Sequence, residues 1–337
     1  MFKLLFLCLI TLFFSNVSLA FEQTFEDVFQ ACLFERIKTT DKKQTLQQIE
    51  NQCEKEIMKS QVGNQELGAL SERMIKERQE AFNPYVITPH KMNYILPVSI
   101  TDAINTEVYD ELSNWSEEIK DVEAKFQLSI KVPLTSGSLL NIGDQLYFGF
   151  TLESWWQLYT GNLSRPFRET NYQPEFFYFT PTNWHPFSTN TALIFGFEHQ
   201  SNGRSELLSR SWNRVYVTFL FEKNNFAFSL RPWYRIPEGD KVTSHETIGD
   251  DNPDIDKYMG HFELGLAYDW RKNYEISLKF RENFAAHHGA IELGFTFPLW
   301  GKLRGYAQYF NGYGESLIDY NYKQQRFGIG FALTDLL

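Results

Sequence analysis

The sequence predicts an all-β protein, a 12-stranded antiparallel transmembrane β-barrel carrying a short helical N-terminal extension. Three observations predict it. Aromatic residues make up 17% of the 337-residue chain, yet no stretch is long and apolar enough for a transmembrane helix. From Met92 onward, apolar and polar residues alternate in segments that recur about every ten to fifteen residues, the period-two signature of strands with one greasy face. The connections between segments alternate between short and mostly longer, as the two rims of an outer-membrane barrel require.

The elements follow in chain order. Met1–Ala20 has Lys3, an apolar run from Leu4 to Phe14, and Ser18-Leu19-Ala20. That is a charged start, a hydrophobic segment and a small-x-small cleavage site, so residues 1–20 are expected to be a secretory signal peptide. Cys8 leaves with it. Residues 21–85 form the expected helical periplasmic extension. Val28, Cys32, Leu33 and Ile37, then Leu46, Ile49, Cys53 and Ile57, recur at helical spacing around a break at 39–43. In an oxidising periplasm Cys32 and Cys53 are expected to pair and staple this hairpin.

Residues 86–337 form the expected barrel. Phe126, Leu128, Ile130 and Val132 alternate with Gln127, Ser129 and Lys131, and Ile276, Leu278 and Phe280 alternate with Ser277, Lys279 and Arg281. Twelve such segments start near 92, 124, 145, 172, 191, 211, 226, 258, 274, 289, 302 and 322. An even count leaves both ends of the barrel on the periplasmic side, and only a closed sheet leaves no unpaired backbone in lipid. Glu198, Glu263, Glu292, Arg281 and Arg326 fall on the inner face, so a filled interior is expected instead of a pore.

One stretch breaks the alternation chemically. Leu193, Phe195 and Phe197 share a face that continues into His199 and Ser201, and Asn213 is in phase with Val215, Val217, Phe219 and Phe221. Three polar groups therefore face lipid. A serine hydroxyl needs a base to take its proton, and an imidazole needs a third group to fix its tautomer. Ser201, His199 and Asn213 could supply nucleophile, base and orienter. On spacing alone, a His-x-Ser pair matches more often by chance than by chemistry.

The surrounding residues add a resemblance. His-Gln-Ser-Asn-Gly-Arg-Ser at 199–205 and Ser-Arg-Ser-Trp-Asn-Arg at 209–214 are similar to the active-site signature of the outer membrane phospholipase A family. Ser-Trp-Trp-Gln-Leu (154–158), Pro-Phe-Arg-Glu-Thr-Asn-Tyr (166–172), Arg-Pro-Trp-Tyr (231–234), Asp-Asn-Pro-Asp-Ile (251–255), Lys-Tyr-Met-Gly (257–260) and Gly-Tyr-Gly-Glu-Ser-Leu-Ile-Asp-Tyr-Asn (312–321) resemble it in the same order. The likeness runs from about Leu70 to Leu337 and leaves the extension without a counterpart.

The resemblance implies a calcium-dependent phospholipase A1/A2 of the bacterial outer membrane, cleaving sn-1 and sn-2 acyl esters and lysophospholipids, monomeric at rest and homodimeric when active. It implies an oxyanion donor at the Gly203 amide. It implies calcium held by the Arg204 carbonyl, the Ser209 hydroxyl and the carbonyl of Ser164 of the partner subunit. Hard oxygen ligands suit calcium, and few ligands per chain would couple its binding to dimerisation. Three departures stand out. A second calcium position that relatives build from two aspartates reads Glu206 and Asp251. Leu152 stands where relatives can carry a glutamine at the dimer interface. The chain ends in Leu337 instead of an aromatic residue.

Other function classes find little support. A net charge of −10 with no basic patch argues against a nucleic-acid partner. His245, His261 and the pair His287-His288 lack companions at metal-ligand spacing. A passive barrel, a porin or a receptor, is the competing class. It gives no reason to aim His, Ser and Asn at lipid.

Overall fold

The computed structural model describes residues 25–39, 44–61, 67–80, 86–109, 115–135, 138–141, 143–161, 166–241, 249–271, 273–301, 303–334 and 336–337. The expected signal peptide, Ser164 and His245 lie outside them. Two compact units divide the chain at Ile57/Met58.

The first unit contains α1 (Phe25–Thr39) and most of α2 (Leu46–Gln61). A disulfide joins Cys32 and Cys53, whose Cα atoms are 5.7 Å apart. Leu33, Ile49 and Cys53 are buried around it. Thr45 starts α2 with a reciprocal cap: the Gln48 N–H donates to Thr45 Oγ1 (3.3 Å) and the Thr45 N–H donates to Gln48 Oε1 (3.0 Å).

The second unit opens with α3 (Ala69–Glu80), which is fastened to the barrel. The Glu222 carboxylate accepts the Ser71 N–H at 2.8 Å, taking one of the orphan donors at the helix start where the dipole favours an anion. Gly68 makes this approach possible, since a Cβ there would sit 2.4 Å from the Glu222 carboxyl carbon. Farther along, Glu77 holds Lys131 and Arg73, each at 2.7 Å.

After a two-residue strand β1 (Thr88–Pro89), twelve strands form the barrel. They are β2 (Tyr94–Thr101), β3 (Val122–Pro133), β4 (Gln145–Trp156), β5 (Phe167–Thr182), β6 (Asn190–Ser201) and β7 (Ser211–Lys223). The ring continues with β8 (Phe226–Ile236), β9 (Phe262–Trp270), β10 (Tyr274–Asn283), β11 (His288–Trp300), β12 (Leu303–Tyr313) and β13 (Lys323–Ala332). Each of β2–β13 pairs antiparallel with its neighbours in sequence, and β13 pairs with β2, so the ring closes. A closed ring satisfies the backbone without an edge, which hydrocarbon demands.

The pleat sorts the side chains as the alternation predicts. On β3, Glu123, Lys125, Gln127 and Ser129 are buried inside while Leu128, Ile130 and Val132 stand exposed outside. Inside, Arg326 pairs with Glu123 (2.8 Å) and Glu315 (2.7 Å), and Lys125 joins Glu153 (3.1 Å) and Glu315 (3.2 Å). Glu198 holds Arg214 and Arg231. A residual polar cavity of ≈ 160 Å³ is lined by Glu263, Arg281 and Glu292 among others. Ion pairs thus cross the bore.

Two boundaries differ from expectation. β5 begins at Phe167 instead of near 172. β9 begins at Phe262 instead of near 258, because 255–259 coil into a short helix. This segment is α5 (Ile255–Met259), and a further turn of helix, α4 (Trp115–Glu118), lies between β2 and β3. Ile255 and Met259, four apart, bury one helix face against Trp212, Trp233, Leu317 and Tyr320. That spacing belongs to a helix and not to a strand.

Candidate active site

β6 and β7 carry the site, and their inner faces identify their outer ones. Glu198 on β6, and Trp212, Arg214 and Tyr216 on β7, are buried inside the barrel. Phe195 and Phe197 are 43% and 41% exposed on the other side of β6. His199 and Ser201 follow them in phase, so both lie on the lipid-facing surface, and Asn213 does so on β7. The register sets His199 directly opposite Asn213, and Ser201 opposite Ser211. Directly opposed side chains are close enough to bond, and the His199 Nδ1 to Asn213 Oδ1 distance is 2.9 Å. Ser201 lies two residues along the same strand face as His199. Among the described residues its hydroxyl makes no hydrogen bond, so the arrangement holds the His199 imidazole and the Asn213 amide in contact and leaves the serine hydroxyl free.

Asn213 has a second side-chain partner that no motif in the sequence marks. The Asn213 side-chain amide donates to Glu238 Oε1 at 2.8 Å. Asn213 pairs with Ile236 at the end of β8. Pro237 then cannot continue the ladder, and the chain turns to bring Glu238 back over Asn213.

Next to Ser201 the loop 202–210 is pulled tight by one buried side chain. Asn202 Oδ1 accepts the Arg204 (3.2 Å) and Arg210 (3.0 Å) N–H groups, while its Nδ2 donates to the Leu208 carbonyl at 2.7 Å. The Arg204 guanidinium anchors the loop outward, donating to the carbonyls of Phe167 (3.0 Å) and Arg168 (2.8 Å). Gly203 sits between these fixed points with φ +62°, and a Cβ there would come within 3.2 Å of the Tyr172 ring. Tyr172 itself is paired with Ser201. Among the described residues the Gly203 N–H has no backbone acceptor, so it remains a free donor one residue past Asn202.

The oxygen groups that could hold a cation lie on the same rim. Ser209 donates its hydroxyl to Asp251 Oδ2 at 2.7 Å, and Lys241 places its ammonium on the other Asp251 oxygen. Asp251 therefore already attracts a positive charge beside Ser209. Glu206 lies in a 3-10 turn with φ +55° and is exposed. Among the described residues no three carboxylate, imidazole or thiolate groups converge on one point, so any ion here would rely on hydroxyl and carbonyl oxygens as well. Leu152 lies on the outer face between Leu128 and Tyr172, in the strand row that leads to Ser201.

The chain's relatives agree with this architecture. A family model described as Phospholipase A1 matches residues 70–333. Phospholipase A1 of Salmonella typhimurium is 39% identical over 259 residues, covering 77% of this chain and 85% of the relative. An active-site variant of outer membrane phospholipase A from Escherichia coli superposes with a TM-score of 0.71 at 37% identity, covering 78% of this chain and 98% of that one. A calcium-bound dimer of Salmonella typhi outer membrane phospholipase gives the same TM-score at 38% identity, with the same coverage. With most of its length matched and the same barrel around the His-x-Ser strand, the chain belongs to the phospholipase A1 family of outer-membrane enzymes.

Proposed function

We propose that this protein hydrolyses the acyl esters of membrane phospholipids at its lipid-facing surface, with Ser201 as nucleophile, His199 as base and Asn213 as orienter. The observation that carries the reading is the His199–Asn213 hydrogen bond, made outside the barrel and in phase with Ser201. A carbonyl acceptor at Nδ1 keeps that nitrogen protonated and leaves the Nε2 lone pair to take the serine proton. Ser201 Oγ attacks the ester carbonyl carbon while its proton passes to His199. The imidazolium then returns that proton to the departing glycerol oxygen, releasing a lysophospholipid. Water, activated by the same imidazole, attacks the acyl-serine and frees the fatty acid. The Gly203 N–H is the donor for the tetrahedral oxyanion. Both sn-1 and sn-2 esters, and lysophospholipids, are within this chemistry, because the site lies open along the barrel wall.

The oxygen donors fit calcium. The Arg204 carbonyl, the Ser209 hydroxyl and the carbonyl of Ser164 of the partner subunit would hold it, with Glu206 and Asp251 as a second position. Bound there, calcium supplies Lewis-acid stabilisation of the developing negative charge. A ligand set divided between two chains makes the homodimer the active form and the monomer the resting one. Leu152 on the outer face would lie in that interface.

Fatty-acid release from phospholipid in detergent micelles tests the reading, with calcium and with excess chelator, for wild type and Ser201→Ala. Calcium-dependent release by the wild type alone is expected. Release by Ser201→Ala would overturn the nucleophile assignment, and no release under any condition would make this a passive barrel.

A further inference from the structure

We infer that Glu238 is a positioning residue for hydrolysis, the fourth member of a Ser201–His199–Asn213–Glu238 chain, supplying the charge that asparagine lacks; this rests on the proposed triad. An ionised carboxylate only accepts hydrogen bonds. With Glu238 Oε1 2.8 Å from the Asn213 amide, the nitrogen of that amide must face Glu238. Its oxygen is thereby turned toward His199 Nδ1, 2.9 Å away. The reverse amide orientation would present N–H to His199 and move the imidazole proton to Nε2, where it could not accept the serine proton. Glu238 thus selects the productive tautomer from two bonds away. Its charge also polarises the amide, which strengthens the bond to the imidazolium that forms during acyl transfer.

The same geometry accounts for asparagine at 213. An aspartate there would set its carboxylate against that of Glu238 at hydrogen-bond distance, and two such carboxylates cannot both stay ionised. The orienting charge stands one residue farther out than in a Ser-His-Asp triad, with an amide as the relay.

The test is a four-variant cycle on full-length protein in calcium-containing micelles, with kcat and KM measured separately. Glu238→Ala should lower kcat by about ten- to a hundredfold, the range for losing a hydrogen bond to a charged group, with KM little changed. Glu238→Gln keeps an acceptor for the Asn213 amide and should retain most of the activity that Glu238→Ala loses. In the Asn213→Asp background the sign should reverse: Glu238→Gln should raise kcat at least about tenfold, because it removes the opposing carboxylate. A residue that merely supports the loop cannot show that reversal. Equal losses from Glu238→Gln in both backgrounds, or an unchanged kcat in Glu238→Ala, would overturn the assignment. Ser201→Ala runs beside these variants. If it hydrolyses substrate, the triad itself is wrong; if it is inactive and no reversal occurs, the Glu238 inference alone is wrong.

Discussion

Arg168→Met offers a direct measure of how dry the barrel interior is. The Arg168 side chain is 1% exposed and lies between two buried acids, Glu123 and Asp319. Its Nε and Nη2 donate to Glu123 at 3.0 Å, and its Nη1 donates to Asp319 at 2.8 Å. Removing one partner of a buried ion pair costs about 3–5 kcal/mol, because the remaining charge is stranded away from water. Here the acids are not wholly abandoned. Glu123 keeps Arg326 at 2.8 Å and the Gln157 amide at 3.0 Å, and Asp319 keeps the Ser316 hydroxyl at 2.6 Å. The expected loss is therefore at the lower end, about 3 kcal/mol. Urea unfolding in detergent, followed by tryptophan fluorescence, reads it as a lowered midpoint at unchanged slope. Glu123→Gln added to Arg168→Met should recover part of the loss by removing the stranded charge. The loop anchor from Arg204 uses the Arg168 carbonyl, not its side chain, so hydrolysis by the folded variant should survive. A change within about 0.5 kcal/mol of wild type, the range of surface substitutions, would mean that water solvates Glu123 and that the buried network is not a structural plug.

Two further outcomes follow from single residues. Gly203→Ala places a Cβ at φ +62° against Tyr172, at a cost of about 1–2 kcal/mol locally; displacing the oxyanion donor should lower kcat up to about a hundredfold, and unchanged kcat would remove the Gly203 amide from the mechanism. Burial works to raise the Glu77 carboxyl, but Lys131 and Arg73 outweigh it and hold the group below its usual value. Its contribution is therefore present above the unfolded-state value and fades as pH falls through the lower folded one. Glu77→Gln should flatten that acid limb of the stability profile, and identical acid limbs in the two proteins would refute the pairing.

By itself, the sequence determined the twelve strands, the direction each face points, and the closure of the ring. All three depend on a local period of two, and a strand with one apolar face has only one way to stand in a bilayer. It also placed His199, Ser201 and Asn213 on the outer surface, since phase along a strand is a local property. It mistook residues 258–261 for strand because Ile255 and Met259 are apolar for the sake of a helix that packs on distant Trp212 and Leu317. The tertiary structure alone decided which polar groups meet. Cross-strand register brought Asn213 to His199, the turn after Pro237 brought Glu238 to Asn213, and the packing of Asp251 brought it to both Ser209 and Lys241. The hydrogen bonds His199–Asn213, Asn213–Glu238 and Ser209–Asp251 join residues 14, 25 and 42 positions apart and leave no periodic trace. A glutamate two residues after a strand reads as an ordinary solvated loop residue until the fold shows which amide it holds.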